Sequence, residues 1–224
     1  MKVRLLKKEF SPALLQRLPF FAIASFAAGL FLKLTWELKT ENELLRFDER
    51  FLIYISKLRT PSWNGPMVDI TALGSATLVT LFAVTGLILL LLVRDRRGAF
   101  FFMTSIAGGA IFNSLLKLAV RRERPSVVPP LVEVTQYSYP SGHTAMSTVM
   151  FLTLAFLVSR YFKKTWERTI IFSIAAFVIF IVGASRMYLG VHYPTDVISG
   201  VLFGGAWTCA LCAFYFSHST VKNS

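Results

Sequence analysis

The chain has 224 residues, 54% of them hydrophobic and 16% charged, with a mean hydropathy of +0.58. Soluble domains carry about 25% charged and 45–50% apolar residues, so an ordinary soluble core and a disordered chain are both excluded. The 24 Lys and Arg against 12 Asp and Glu stand in short islands between apolar runs, which excludes a basic domain built for nucleic acid.

A bilayer core of about 30 Å requires about 20 apolar residues per helix. Six stretches meet that length: Leu18–Trp36, Val68–Val93, Gly98–Val120, Thr144–Tyr161, Thr169–Ser185 and Val197–Phe216. With their connections they occupy residues 1–224 as a single domain. The expected class is an all-α integral membrane protein, a six-transmembrane-helix bundle. No internal repeat or low-complexity linker interrupts it.

Lys and Arg mark cytoplasmic loops. Lys2, Arg4, Lys7, Lys8 and Arg17 precede the first span. Arg94, Arg96 and Arg97 follow the second, and Arg160, Lys163, Lys164 and Arg168 follow the fourth. With Lys222 in the tail, these segments hold 13 of the 24 basic residues and alternate correctly for one face. Both termini are expected in the cytoplasm. The basic N-terminus is expected to be an uncleaved anchor; a secretory signal cut near Ser25-Phe26-Ala27 is the competing reading.

The first outer loop is balanced in charge and carries Leu44, Phe47, Phe51, Ile55 and Leu58 at helical spacing. It is expected to be an amphipathic helix lying in the interface. A sharper alternative makes it a rim that shapes lipid access. Near the C-terminus, Cys209 and Cys212 lack the further ligands zinc requires and are expected to pack. Gly200 and Gly204 form a G-x-x-x-G expected to pack within the bundle rather than between chains.

A group of basic residues breaks the side rule. Lys117, Arg121, Arg122 and Arg124 cluster after span three, and Arg186 ends span five, all on the face opposite the islands. Charge at the membrane is costly and marks function unless it snorkels at a helix end. His143 begins span four and His192 follows span five, so two crossings return the chain to that same face. Lys117 and Arg124 are seven apart, which places both on one side if the helix continues to Pro125. With Arg186 they suit a phosphoryl group whose charge spreads over three oxygens. Tyr139-Pro140-Ser141-Gly142-His143-Thr144 is a turn leading into a helix start, where free N–H groups bind anions. Asp196, four residues after His192, is placed to hold one imidazole nitrogen and leave the other as a nucleophile.

These three segments resemble the signature of the type 2 phosphatidic acid phosphatase superfamily, the integral-membrane lipid phosphate phosphatases. Lys-x6-Arg-Pro is met by Lys117, Arg124 and Pro125, and Pro-Ser-Gly-His by Pro140 to His143. Ser-Arg-x5-His-x3-Asp is met by Ser185, Arg186, His192 and Asp196, so all eleven specified positions agree. The size and plan resemble the family's bacterial phosphatidylglycerol phosphate phosphatases. The family's soluble vanadium-dependent haloperoxidase branch is disfavoured by the six spans.

The resemblance implies that His192 attacks phosphorus, Asp196 orients it, and His143 is general acid and then base. Lys117, Arg124, Ser141, Gly142 and Arg186 would hold the phosphate oxygens. It implies no cofactor and no metal, and few acids lie near the motifs. Arg121 and Arg122 are candidates for a second phosphate or a headgroup. The expected partner is a lipid phosphate among membrane lipids: phosphatidylglycerol phosphate first, undecaprenyl pyrophosphate next, then phosphatidic acid or diacylglycerol pyrophosphate. A monomer is compatible with this plan. A transporter or anion channel using the same basic cluster without chemistry is the reading from a different class.

Overall fold

The computed structural model describes residues 12–40 and 42–217. The expectations on Lys2, Arg4, Lys7, Lys8 and Lys222 concern residues outside that range. Every regular element among the described residues is helical: α1 (Pro12–Thr40), α2 (Asn42–Lys57), α3 (Pro61–Ala72), α4 (Ala76–Leu92), α5 (Arg96–Val120), α6 (Gly142–Ser159), α7 (Thr165–Tyr188) and α8 (Pro194–Ser217).

Five of these (α1, α5, α6, α7 and α8) are long and apolar enough to cross a membrane, and the bent pair α3–α4 brings the number up to six. The second expected span, Val68–Val93, therefore differs from a continuous rod. It is broken at Leu73-Gly74-Ser75, with a 41° bend between the halves. Ser75 caps α4 by accepting the Leu78 N–H at 3.3 Å. Gly74 lets the break approach α6: a Cβ there would stand 2.5 Å from the His143 carbonyl oxygen, closer than side-chain carbons come.

Helix α6 is the hub, packed against α4, α5, α7 and α8. In its most apolar 18-residue window 67% of residues are buried, against 17% in α1, which faces outward over most of its length. Val149, Met150, Phe156 and Leu157 from α6 join Phe101, Phe102 and Ile106 of α5 and Cys212 of α8 in the main core. Cys209 and Cys212 are both free thiols, as packing residues would be.

The Gly200 and Gly204 pair seats α8 on α6. A Cβ at Gly200 would lie 2.9 Å from the Ser141 carbonyl oxygen, and one at Gly204 would lie 2.7 Å from Thr148 Cβ. Gly204→Ala is expected to destabilise the protein by about 1–3 kcal/mol through overpacking, read as a lower thermal midpoint in detergent. An unchanged midpoint would show that this contact is not tight.

Two basic connections meet at one end of the bundle, where Arg160 Nη2 lies 2.6 Å from Asp95 Oδ2. Helix α5 begins at that end and α6 finishes there, so the C-terminus of α5 and the N-terminus of α6 share the opposite end. Helix α2 covers that second end. Its face differs from the expected stripe: Asp48 and Leu52 are its most buried residues, while Phe47 and Leu58 are 50% and 55% exposed. Leu52 packs with Val128, Tyr193 and Met187, so α2 turns toward the loops around α5, α7 and α8.

Candidate active site

Lys117 lies one turn before the end of α5 and is only 8% exposed. A buried ammonium needs acceptors, and its Nζ donates to the carbonyls of Tyr137 (2.7 Å) and Pro140 (2.9 Å). These bonds draw the Pro140–His143 turn over the helix end. The expected continuation of α5 to Pro125 is not observed. Arg121 adopts the left-handed region (φ 52°, ψ 38°) and returns its N–H to the Lys117 carbonyl, ending the helix at Val120, a C-terminal cap of known type. Arg124 reaches the site from an extended segment instead. Its Nε donates to the Gln136 carbonyl (2.7 Å) and its Nη1 to the Val191 carbonyl (2.6 Å).

Ser141 caps the backbone at the start of α6 without a side-chain hydrogen bond to the first turn. The donors of that turn therefore remain open for an anion. The Ser141 N–H is an exception, since it donates to the Asp196 carbonyl at 3.0 Å. The Ser141 hydroxyl accepts from Thr144 Oγ1 at 3.0 Å and keeps its own proton to donate. Gly142 keeps the turn open: a Cβ there would stand 3.4 Å from Asn113 Nδ2 and 3.5 Å from Lys117 Cε.

Arg186, at 3% exposure, lies in the last turn of α7. Its Nη1 donates to Thr71 Oγ1 at 3.1 Å, and its buried Nε has no partner among the described residues. Thr71 closes α3, so the broken helix meets the site twice, at Arg186 through Thr71 and at His143 through Gly74. His143 makes no side-chain hydrogen bond among the described residues. Its electrostatic neighbours are Arg186, His192, Lys117 and Arg124.

His192 is 1% exposed, in the α7–α8 connection. Its Nδ1 lies 3.5 Å from Asp196 Oδ2 and 3.4 Å from Ser138 Oγ, and its Nε2 lies 3.3 Å from Arg124 Nη1. A carboxylate on one side and a guanidinium on the other select the tautomer with the proton on Nδ1. The Nε2 lone pair then faces the cations. Burial pushes His192 down to about 3. Asp196 opposes that shift, while Arg186 and Arg124 add to it. The ring is therefore neutral across the physiological range, as a nucleophile requires.

Asp196 is fully buried in the first turn of α8 and has partners besides the His192 imidazole. Its Oδ2 accepts the Tyr193 N–H at 2.9 Å and the Ser138 hydroxyl, and its Oδ1 accepts from Arg122 Nη1 at 2.6 Å. The second Arg122 nitrogen, Nη2, lies 2.6 Å from Asp48 Oδ2. The guanidinium also lies over the Tyr193 ring, 4.2 Å from its centroid. Burial alone would lower the Arg122 guanidinium, but Asp196 and Asp48 hold it above its ordinary value. Arg122 therefore faces inward to two carboxylates, unlike the headgroup contact expected of it, because buried carboxylates need a paired charge. Arg121 stays exposed, with its Nε on the Leu118 carbonyl at 3.0 Å.

The structure thus brings Lys117, Arg124, Ser141, Gly142, His143, Arg186, His192 and Asp196 to one end of the bundle. Sequence reasoning missed Asp48, Asn113, Ser138 and Thr71. Asn113, four residues before Lys117 on the same face of α5, had a readable signal; its Oδ1 is buried without a partner among the described residues. Among the described residues no group of three or more His, Cys, Asp and Glu converges as a metal cage would require.

A family model described as the PAP2 superfamily matches residues 98–219, which contain all three motif segments but not Asp48 or Thr71. Phosphatidylglycerophosphatase B of Bacillus subtilis (strain 168) is 31% identical over 174 residues, 73% of this chain and 80% of that protein. The undecaprenyl-diphosphatase of Sulfolobus acidocaldarius is 31% identical over 164 residues, 71% of this chain and 73% of that one. The fold matches the crystal structure of a transmembrane PAP2-type phosphatidylglycerolphosphate phosphatase from Bacillus subtilis with a TM-score of 0.83, at 24% identity, over 89% of this chain and 98% of that chain. With its three motif segments gathered at one bundle end and the family model spanning them, the chain belongs to the PAP2 superfamily and is a membrane enzyme of its lipid-phosphate phosphatase kind.

Proposed function

We propose that the chain hydrolyses phosphatidylglycerol phosphate to phosphatidylglycerol through a phosphohistidine on His192. The observation that carries this reading is the His192 ring itself. Asp196 holds its Nδ1 while its Nε2 points to Arg124 beside the open turn of α6.

In the first step Nε2 bonds to phosphorus and the bond from phosphorus to the glycerol oxygen breaks. His143 gives that oxygen its proton, and the new imidazolium keeps its Nδ1 proton on Asp196. Lys117, Arg124, Arg186, the Ser141 hydroxyl and the Gly142 N–H hold the three equatorial oxygens, where charge accumulates. In the second step water attacks phosphorus, His143 takes its proton, and the nitrogen–phosphorus bond breaks to release phosphate.

The same reading makes the chain one domain over residues 1–224 with six spans, counting α3–α4 as one, a plan compatible with a monomer. The positive-inside rule, applied to the islands at Arg94–Arg97 and Arg160–Arg168, supports a cytoplasmic position for their end of the bundle and for both termini. The site then opens at the extracytoplasmic face, with α2 in the interface above it. A cleft of ≈ 440 Å³ lined by Ser114, Lys117, Leu118, Thr135, Gln136 and Tyr137 lies beside Lys117. It supports access for a lipid phosphate whose tails stay in the bilayer.

The similarity to the Sulfolobus undecaprenyl-diphosphatase keeps undecaprenyl pyrophosphate as the second substrate. Purified protein given both lipids in competition should show the higher kcat/KM for phosphatidylglycerol phosphate. Preference for the polyprenyl diphosphate would transfer the assignment to it. Anion flux in liposomes without any phosphate release would overturn both.

A further inference from the structure

We infer that Asp48 and Arg122 form a positioning device for the nucleophile, in which the outer helix α2 sets the Asp196 carboxylate through a buried carboxylate–guanidinium–carboxylate chain. This rests on the reading of His192 as nucleophile and Asp196 as its partner.

Three features carry it. Asp48 is 0% exposed on a helix otherwise rich in exposed charge, and a buried carboxylate persists only where it is paired. Its partners all belong to the site. Oδ2 lies 2.6 Å from Arg122 Nη2, Oδ1 accepts the Thr195 N–H at 3.0 Å, and the Thr195 hydroxyl donates to Oδ2 at 2.5 Å. Asp48 thereby caps the first turn of α8, the turn that carries Asp196. Arg122 closes the chain, donating from Nη1 to both Thr195 Oγ1 (2.7 Å) and Asp196 Oδ1 (2.6 Å).

With Oδ1 fixed by Arg122, the other Asp196 oxygen is turned to Ser138, the Tyr193 N–H and His192 Nδ1. The planar guanidinium is pinned at both ends, Nη2 on Asp48 and Nη1 on Asp196 and Thr195, so it holds Asp196 Oδ1 in a more defined direction than a freely rotating ammonium would. The chain therefore fixes the rotation of the carboxylate that fixes the imidazole. It also sets the charge balance. Arg122 draws electron density from Asp196 and weakens its hold on a proton at His192, while Asp48 offsets Arg122.

The other charged and titratable groups facing this chain are Lys117 from α5, Arg124 from the following segment, Tyr139 before α6, His143 from α6 and Arg186 from α7. Glu49 of α2 and Tyr193 lie at its outer side.

The test measures kcat and KM on a short-chain lipid phosphate between about pH 4 and 9 for the parent, Asp48→Asn, Arg122→Gln and the double variant, with His192→Ala alongside. Misplacing a catalytic group by an ångström has large effects, so each single variant should lose about tenfold or more in kcat with KM nearly unchanged. The acid limb should rise in Arg122→Gln, because the freed Asp196 lets His192 protonate at higher pH. It should not rise in Asp48→Asn. A merely structural pair would lower activity without moving the limb in this charge-dependent way.

Removing one partner strands a buried charge and costs stability, so the double variant, which removes the Asp48–Arg122 pair together, keeps the test open if a single variant does not fold. It should still lose kcat by about tenfold. Parent kcat in the double variant, or a raised KM with kcat unchanged, overturns the proposal. Full activity in His192→Ala would instead overturn the reading on which it rests.

Discussion

His192→Ala is expected to reduce phosphate release from a lipid phosphate by on the order of 10⁵-fold or more, the scale seen when a nucleophile that acts in a concerted unit is removed. The loss should fall on chemistry rather than binding. Lys117 and Arg124 are held by backbone carbonyls and Arg186 by Thr71, so the cationic pocket stays in place without the ring. Asp196 keeps Arg122, Ser138 and the Tyr193 N–H, which protects the fold from a stranded charge. A non-hydrolysable phosphonate lipid should compete with substrate in the parent and bind the variant within a few-fold of the same affinity. Substantial residual turnover would mean that the nucleophile lies elsewhere.

His143→Ala is expected to divide the two chemical steps. A glycerol alkoxide is a poor leaving group and needs a proton as the bond breaks, so kcat on the lipid substrate should fall by on the order of 10²–10⁴. An aryl phosphate leaves as a stabilised phenolate and needs little help. With that substrate the first step should survive, while hydrolysis of the phosphohistidine slows because its base is gone. The phosphorylated protein should accumulate as an acid-labile, alkali-stable species mapped to His192. Equal losses on both substrates, with no trapped species, would remove His143 from proton transfer.

The motif segments were legible because each places its chemistry locally. His192 and Asp196 lie four apart across a helix start, and Pro140–His143 is a turn entering α6, so both needed only near neighbours to be read. The helices lie where the apolar runs fall, although α1 begins at Pro12 rather than Leu18 and the second stretch begins at Pro61 rather than Val68 and bends at Gly74. That bend depends on a contact with His143, 69 positions away in the chain, and no local pattern encodes it. Lys117 and Arg124 do not share a helix face as their spacing suggests, since Arg121 turns left-handed and ends α5. Both residues still reach the site, because the Ser138 N–H binds the Arg122 carbonyl and Arg124 binds the Gln136 carbonyl. Asp48 was hidden for a related reason. In the sequence it is one acid among balanced charges, and only its pairing with Arg122 across 74 positions separates it from them.

Helix α1 packs most extensively against α8, and that pairing has a consequence for biogenesis. Ribosomes deliver α1 first and α8 after every other described helix, so α1 waits in the bilayer with its seam unfilled until synthesis has passed Ser217. His192 and Asp196 arrive only with that same late segment. Nascent chains that stop short of His192 therefore lack both the His192–Asp196 pair and the helix that fills the α1 seam. Ribosome-bound intermediates should accordingly be the forms most exposed to membrane quality-control proteases.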